Sequence, residues 1–126
     1  LDHLDQQPAG ANPLLATLRQ EGPTAILQLS GEIDGFADAA LDEAYTRAIA
    51  TAPKCLLLNF TAVDYINSTG IALIVAILAK TRSDNIALLT CGLSEHYQEM
   101  FRITRLSDFI PVFPDEASAL AAKTAD

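Results

Sequence analysis

The sequence predicts an α/β single domain on a mixed, mostly parallel sheet of about five strands with about four helices, ordered β-β-α-β-α-β-α-β-α. Three observations predict it. Short strand-like runs alternate along the chain with stretches of helical period. Two of those runs, 55–60 (CLLLNF) and 86–91 (IALLTC), are apolar at nearly every position, as strands buried on both faces are. Each β-α-β link calls for a right-handed crossover and hence parallel pairing.

Residues 1–13 (LDHLDQQPAGANP) are polar and broken by Pro8, Gly10 and Pro13, which reads as a weakly packed tail or linker ahead of a domain spanning 14–126. Over 14–19, Leu14, Ala16 and Leu18 alternate with Leu15, Thr17 and Arg19, a strand pattern. Glu21-Gly22-Pro23 makes a turn, and 24–30 alternates again with Ala25, Leu27 and Leu29 on one face, so the pair reads as an antiparallel hairpin. From Phe36 the period changes: Ala37, Ala40, Leu41, Ala44 and Ala48 form a helical stripe that Pro53 closes off. Strand 55–60 runs into a loop, and Asn67-Ser68-Thr69-Gly70 opens a helix over about 71–82. After strand 86–91, Ser94 can cap a helix with Tyr97, Met100, Phe101 and Thr104 on one face. Residues 109–113 form a short strand that Pro111 assigns to a sheet edge, and Asp115 caps an Ala-rich helix reaching about Lys123.

Composition narrows the function. The 126 residues suit one domain, and eight Lys and Arg against sixteen Asp and Glu give a formal charge of −8. Such a surface repels phosphate backbones and anionic headgroups, so neither nucleic acid nor a membrane surface is an expected partner. The longest apolar run, 71–79, has nine residues, against about 20 needed to span a bilayer, and no secretory-signal pattern opens the chain. Cys55 and Cys91 each sit inside an apolar segment and read as small buried hydrophobes in a reducing, cytoplasmic setting, with no metal site or disulfide implied. Catalytic patterns are missing too. His3 lies in the tail and His96 in the first turn of a helix, no G-x-S-x-G elbow or phosphate-cradling glycine loop occurs, and Glu32 and Asp34 have no His or Cys beside them. The expectation is a non-enzyme without a cofactor.

The informative stretch is 59–78, NFTAVDYINSTGIALIVAIL. Asn67 and Ser68 are both good N-cap residues for the helix that follows. A hydroxyl in this place can also carry a phosphate, because a helix N-terminus tolerates the added charge of about −1.5 to −2. Along the helix Ile71, Ile74, Val75 and Leu78 form the expected core stripe, leaving Leu73 opposite, Ile77 on a flank, and Ala72 and Ala76 as small neighbours. Either surrounding elements cover those apolar positions, or they form a flat patch for a protein partner, rimmed by Ser68, Thr69, Lys80 and the acidic loops.

Three segments carry a family resemblance. Ser30-Gly31-Glu32-Ile33-Asp34 resembles the S-G-E-[IL]-D start of bacterial anti-sigma factor antagonists, and Leu57-Leu58-Asn59-Phe60 resembles their L-D-[LF] strand. Val63-Asp64-Tyr65-Ile66-Asn67-Ser68-Thr69-Gly70-Ile71 is similar to their V-x-[FY]-[IM]-D-S-[ST]-G-[LI] signature. These are STAS domains, and the element order agrees from about Leu14 to Ala122. The resemblance implies a partner-switching module: an antagonist that binds an anti-sigma factor which is also a serine kinase, loses it on phosphorylation, and regains it through a serine phosphatase. It places the phospho-acceptor at Ser68, with Thr69 as second candidate and Asp34, Asn67 and Gly70 around it; together with Leu73, Ala76 and Ile77 from the apolar back of the helix, these residues make up the expected partner surface. In it Gly70 permits close approach of a partner backbone. One departure stands out: the family's Asp before the serine is Asn67 here, which keeps the capping geometry and removes a charge, so it bears on the switch more than on the module. A non-switching STAS module of a signalling scaffold or transport assembly is the second reading. A small nucleotide-binding or hydrolytic protein using Asp34, Asp64 and Ser68 is the third.

Overall fold

The computed structural model describes residues 12–125, with side chains through Ala122. Strands β1 (Leu15–Glu21), β2 (Thr24–Ile33), β3 (Cys55–Ile66), β4 (Ala87–Cys91) and β5 (Val112–Phe113) form one sheet in the order β1-β2-β3-β4-β5. The β1–β2 hairpin is antiparallel and every other pairing is parallel. Helices α1 (Asp38–Ile49), α2 (Ser68–Ser83) and α3 (Glu95–Ile103) follow β2, β3 and β4, and α4 (Glu116–Ala125) follows β5. This is the mixed, mostly parallel α/β architecture expected from the sequence.

Handedness decides where the helices go. The parallel strands are added in one direction, so right-handed crossovers put α1, α2 and α3 on the same face. There they bury Leu41, Ala44 and Tyr45 (α1), Ile74 and Ile77 (α2) and Phe101 (α3) against Leu27, Leu29, Leu56, Leu58 and Phe60 of the sheet. Phe101 meets Phe60 edge to face, with ring centroids 6.5 Å apart. The other face holds a smaller cluster of Ile26, Cys55, Leu57, Leu89 and Cys91, covered by Ala119 of α4. Both cysteines are buried, and burial pushes the Cys91 thiol up to about 11. α4 is tied down by Glu116, which accepts from Arg19 of β1 and, at 2.7 Å, from the Asn59 amide of β3.

Several expectations need correction. β3 does not end at Phe60 but continues to Ile66, staying paired with β2 although the register shifts between Gln28 and Ser30 and again between Gly31 and Glu32. The expected strand at 109–113 keeps only Val112–Phe113, at the sheet edge. Of the tail, residues 1–11 lie outside the described residues, while Asn12 and Pro13 are packed in place. The Asn12 carbonyl accepts the Glu32 N–H at 3.1 Å, and a Cβ on Gly31 (φ +100°) would stand 2.5 Å from the Pro13 carbonyl oxygen. Glycine at position 31 is what lets this segment lie against β2.

The phase of α2 also differs. Its buried positions are Gly70, Ile74, Ile77 and Thr81, whereas Val75 is 42% exposed and Ile77 only 4%. Ile71, Leu73 and Leu78 are half-buried against the main core. Ile77 and Gly70 therefore cannot present side surface to a partner. Two predictions follow from these packings. Ile77→Ala should cost about 2–5 kcal/mol in urea unfolding, while Val75→Ala should stay within about 0.5 kcal/mol. The hydrogen bond from Arg19, aided by that from Asn59, holds the Glu116 carboxyl below its ordinary value of 4.5. A depressed carboxylate stabilises the fold above the ordinary range and loses that contribution as pH falls through its folded value. The urea midpoint should thus drop on acidification below about pH 4.5, and less so in Glu116→Gln.

Candidate functional site

The sequence-predicted residues converge where β2 and β3 end and α2 begins. β3 stops at Ile66, whose N–H donates to the Tyr97 hydroxyl of α3 at 2.9 Å. Asn67 then turns the chain. Its N–H donates to the Ile33 carbonyl at 3.2 Å, and its side-chain oxygen accepts the Gly70 N–H at 2.8 Å. Asn67 is therefore the N-cap, and Ser68 is the first helical residue, with its side chain exposed and outside the cap. The choice left open by two adjacent capping residues is settled in favour of Asn67, which leaves the Ser68 hydroxyl available.

Gly70 has a different task from the one expected. A Cβ there would stand 2.0 Å from the Ile33 carbonyl oxygen and 2.8 Å from its carbon. The backbone that approaches Gly70 closely is this chain's own β2, and no larger residue fits without moving one of the two elements. Asp34 follows on from Ile33 and is buried, its Oδ1 accepting the Phe36 N–H at 2.9 Å. It caps a single 3-10 turn, Gly35–Ala37, rather than facing solvent. That turn sits against α2: a Cβ on Gly35 would lie 3.7 Å from the Thr69 methyl.

The outer surface around Ser68 is largely apolar. Ser68, Thr69, Ala72, Val75 and Ala76 are exposed along α2, and Phe36, in the 3-10 turn that sits against α2, has 81% of its surface exposed. Tyr65 adds a half-exposed ring at the end of β3. Sequence reasoning missed Phe36, Tyr65 and Val75. The signal for Phe36 was its place directly after Asp-Gly, in a turn too short to bury a large ring. Ala76 is exposed as expected, and Leu73 is half-buried. Lys80, one turn beyond Ala76, is exposed; it pairs with Asp42 of α1 at 2.7 Å and lies over the Tyr45 ring. Asp64, proposed for nucleotide chemistry, is held by the Asn12 amide.

Among the described residues no His, Cys, Asp and Glu cluster is arranged to hold a metal ion, and no helix is long and apolar enough to cross a membrane. What the described residues present is a small surface with the Ser68 and Thr69 hydroxyls at its edge.

The STAS domain model matches residues 16–119, and the chain belongs to that family. Among curated relatives, the anti-sigma-F factor antagonist RsfB of Mycobacterium tuberculosis is 32% identical over 63 residues, which is 50% of this chain. The chain spans about half, 52%, of that relative's length. The anti-sigma-B factor antagonist of Listeria monocytogenes is 31% identical over 84 residues, covering 67% of this chain and 74% of the relative. Among solved structures, an anti-sigma factor antagonist from Mycobacterium paratuberculosis superposes with a TM-score of 0.75 at 22% identity, over 86% of this chain and 92% of that one.

The junction can be tested by itself. Asn67→Ala should cost about 1 kcal/mol in urea unfolding through loss of the cap, whereas Asn67→Asp, which keeps the accepting oxygen, should cost little or stabilise slightly. Gly70→Ala should cost more than Asn67→Ala, because its methyl displaces backbone rather than removing one hydrogen bond.

Proposed function

We propose that this protein is an anti-sigma factor antagonist that binds an anti-sigma factor/serine kinase through the surface around Ser68 and is released by phosphorylation of that serine. The observation that carries the reading is the exposed Ser68 hydroxyl, left outside the N-cap at the edge of an apolar surface formed by Phe36, Val75, Ala72 and Ala76. The names of the relatives support the class of partner.

The physical logic is simple. A flat patch of Ala and Val loses little side-chain entropy on docking, and a protruding Phe offers the kind of anchor that dominates interface energetics. A phosphate on Ser68 adds a charge of about −1.5 to −2 at the rim of that patch. The fold tolerates it, because the first turn of α2 presents unpaired N–H groups and has no acidic residue of its own. The complex does not, because the dianion must be desolvated against an apolar interface. A serine phosphatase acting on the released form closes the cycle. Thr69, exposed beside Ser68, is the second candidate acceptor.

The experiment is a binding titration of the purified chain against the anti-sigma factor kinase of the same cell, with mass spectrometry of the peptide spanning 55–80 after incubation with ATP. Ser68→Asp should weaken the complex at least tenfold, about 1.4 kcal/mol, with an unchanged unfolding midpoint. Phe36→Ala should weaken it comparably, and Ser68→Ala should bind but take up no phosphate. Wild-type affinity in Ser68→Asp, or phosphate found on another residue, overturns the reading.

A further inference from the structure

One corner of the sheet is unfinished. β5 pairs with β4 only at Thr90 and Cys91. The Thr90 N–H donates to the Pro111 carbonyl at 3.0 Å, whereas the Ala87 N–H donates to Lys54 on the β3 side at 3.1 Å. Backbone groups alternate in direction along a strand, so Leu88 aims its N–H and C=O at the β5 side, as Thr90 does. No backbone group among the described residues meets them. The sequence supplies the reason: in this register the next donor, to the Leu88 carbonyl, belongs to residue 111, a proline with no N–H.

A groove of about 440 Å³ lies along this edge. Its walls come from both sides of the sheet: Leu78 and Arg82 of α2 on one, Phe113 and Ala122 on the other, with Phe109 between and Leu88 at the base. The groove meets both faces of the sheet, and Leu88, which it reaches, is itself 5% exposed. Arg82 is the charge at its mouth. Its guanidinium lies over the half-exposed Phe109 ring, 5.3 Å from the centroid, and no carboxylate among the described residues pairs with it. Among the described residues Arg19, Lys80, Arg102 and Arg105 each have an acidic partner, whereas Arg82, like Arg47 and Lys54, has none and is the cation that lines this groove.

We propose that the β4–β5 edge binds an extended peptide of a partner protein, which adds a short strand against Leu88. Alternate apolar side chains enter the groove from its two faces, and a peptide carboxylate lies on Arg82. Strand addition supplies affinity through the backbone, and the pockets and the arginine supply selection. The site is separate from Ser68: fourteen residues of helix, roughly 21 Å at 1.5 Å per residue, lie between Ser68 and Arg82. One partner at each end of α2 is geometrically compatible.

The test is selection of a phage-displayed library of random heptapeptides on the full chain, followed by fluorescence anisotropy of the enriched peptide and amide hydrogen exchange of the complex. Enriched peptides should alternate β-branched or aromatic residues and carry an Asp or Glu, and their binding should slow exchange of the Leu88 amide. Arg82→Glu should weaken binding at least tenfold, and so should Ala122→Phe, which fills the groove from the other wall. Arg82 is exposed and Ala122 half-buried with its side chain facing the groove, so circular dichroism melts should stay close to the wild type. A library that yields no binder, binders whose affinity Arg82→Glu leaves unchanged, or binders that leave Leu88 exchange unaltered each overturn the proposal.

Discussion

The Ile33 carbonyl holds the functional end of the molecule together. It accepts the Asn67 N–H, and the bare Cα of Gly70 rests against it, in a space where a Cβ would stand 2.0 Å away. Through these contacts the last residue of β2, the exit from β3 and the first turn of α2 become one junction. Everything that matters around Ser68 inherits its position from that junction. The cap goes to Asn67, so Ser68 is left exposed; Asp34 is drawn inward to cap the 3-10 turn, and Phe36 within that turn is exposed. Neither outcome could be arranged by the helix or the strands separately.

The division of α2 between core and surface depends on the same contact. With Gly70 pressed onto β2, the inward positions are set at i, i+4, i+7 and i+11, which are Gly70, Ile74, Ile77 and Thr81. The outward positions that follow are Ala72, Val75, Ala76 and Ala79. A helix exposing mainly alanine and one valine is cheap to cover and offers no deep pocket, so selectivity must come from its margins. Phe36 and Tyr65 provide shape there, and the phosphate proposed on Ser68 would change the electrostatics of the whole face.

Most of the architecture was legible in the sequence because local signals agreed with it. The caps at Asn67, Ser94 and Asp115 accept the expected backbone N–H groups, and the period change after Phe36 marks α1 correctly. The failures have a common cause, which is that apolarity stops carrying direction. Along α2 nearly every position is apolar, so the stripe has no unique phase, and a glycine's close contact fixed what side-chain hydrophobicity could not. In β3 the opposite holds. Beyond Phe60 the strand carries Thr61, Ala62, Asp64 and Tyr65 and looks like a loop, yet its pairing with β2 through Ile66 depends on backbone hydrogen bonds that composition does not encode. At the far edge Pro111 was read as an edge signal, but its consequence for Leu88 required the register.

Asn67 deserves a physical reading beyond its departure from the family's aspartate. The capping bond uses one side-chain oxygen, which asparagine and aspartate both supply. What differs is charge at the residue next to Ser68. An aspartate there would already neutralise part of the positive end of the α2 dipole and would repel an incoming phosphate a few ångströms away. With Asn67 the first turn of α2 contains no acidic residue, and Asp34, the nearby carboxylate of the S-G-E-I-D segment, is buried in a hydrogen bond to Phe36. The helix end therefore keeps its full affinity for an anion. The change removes a group that could help draw the proton from the serine hydroxyl, yet it makes the phosphorylated state itself easier to hold. On electrostatic grounds the switch proposed at Ser68 would, with Asn67 beside it, be slower to set and more stable once set.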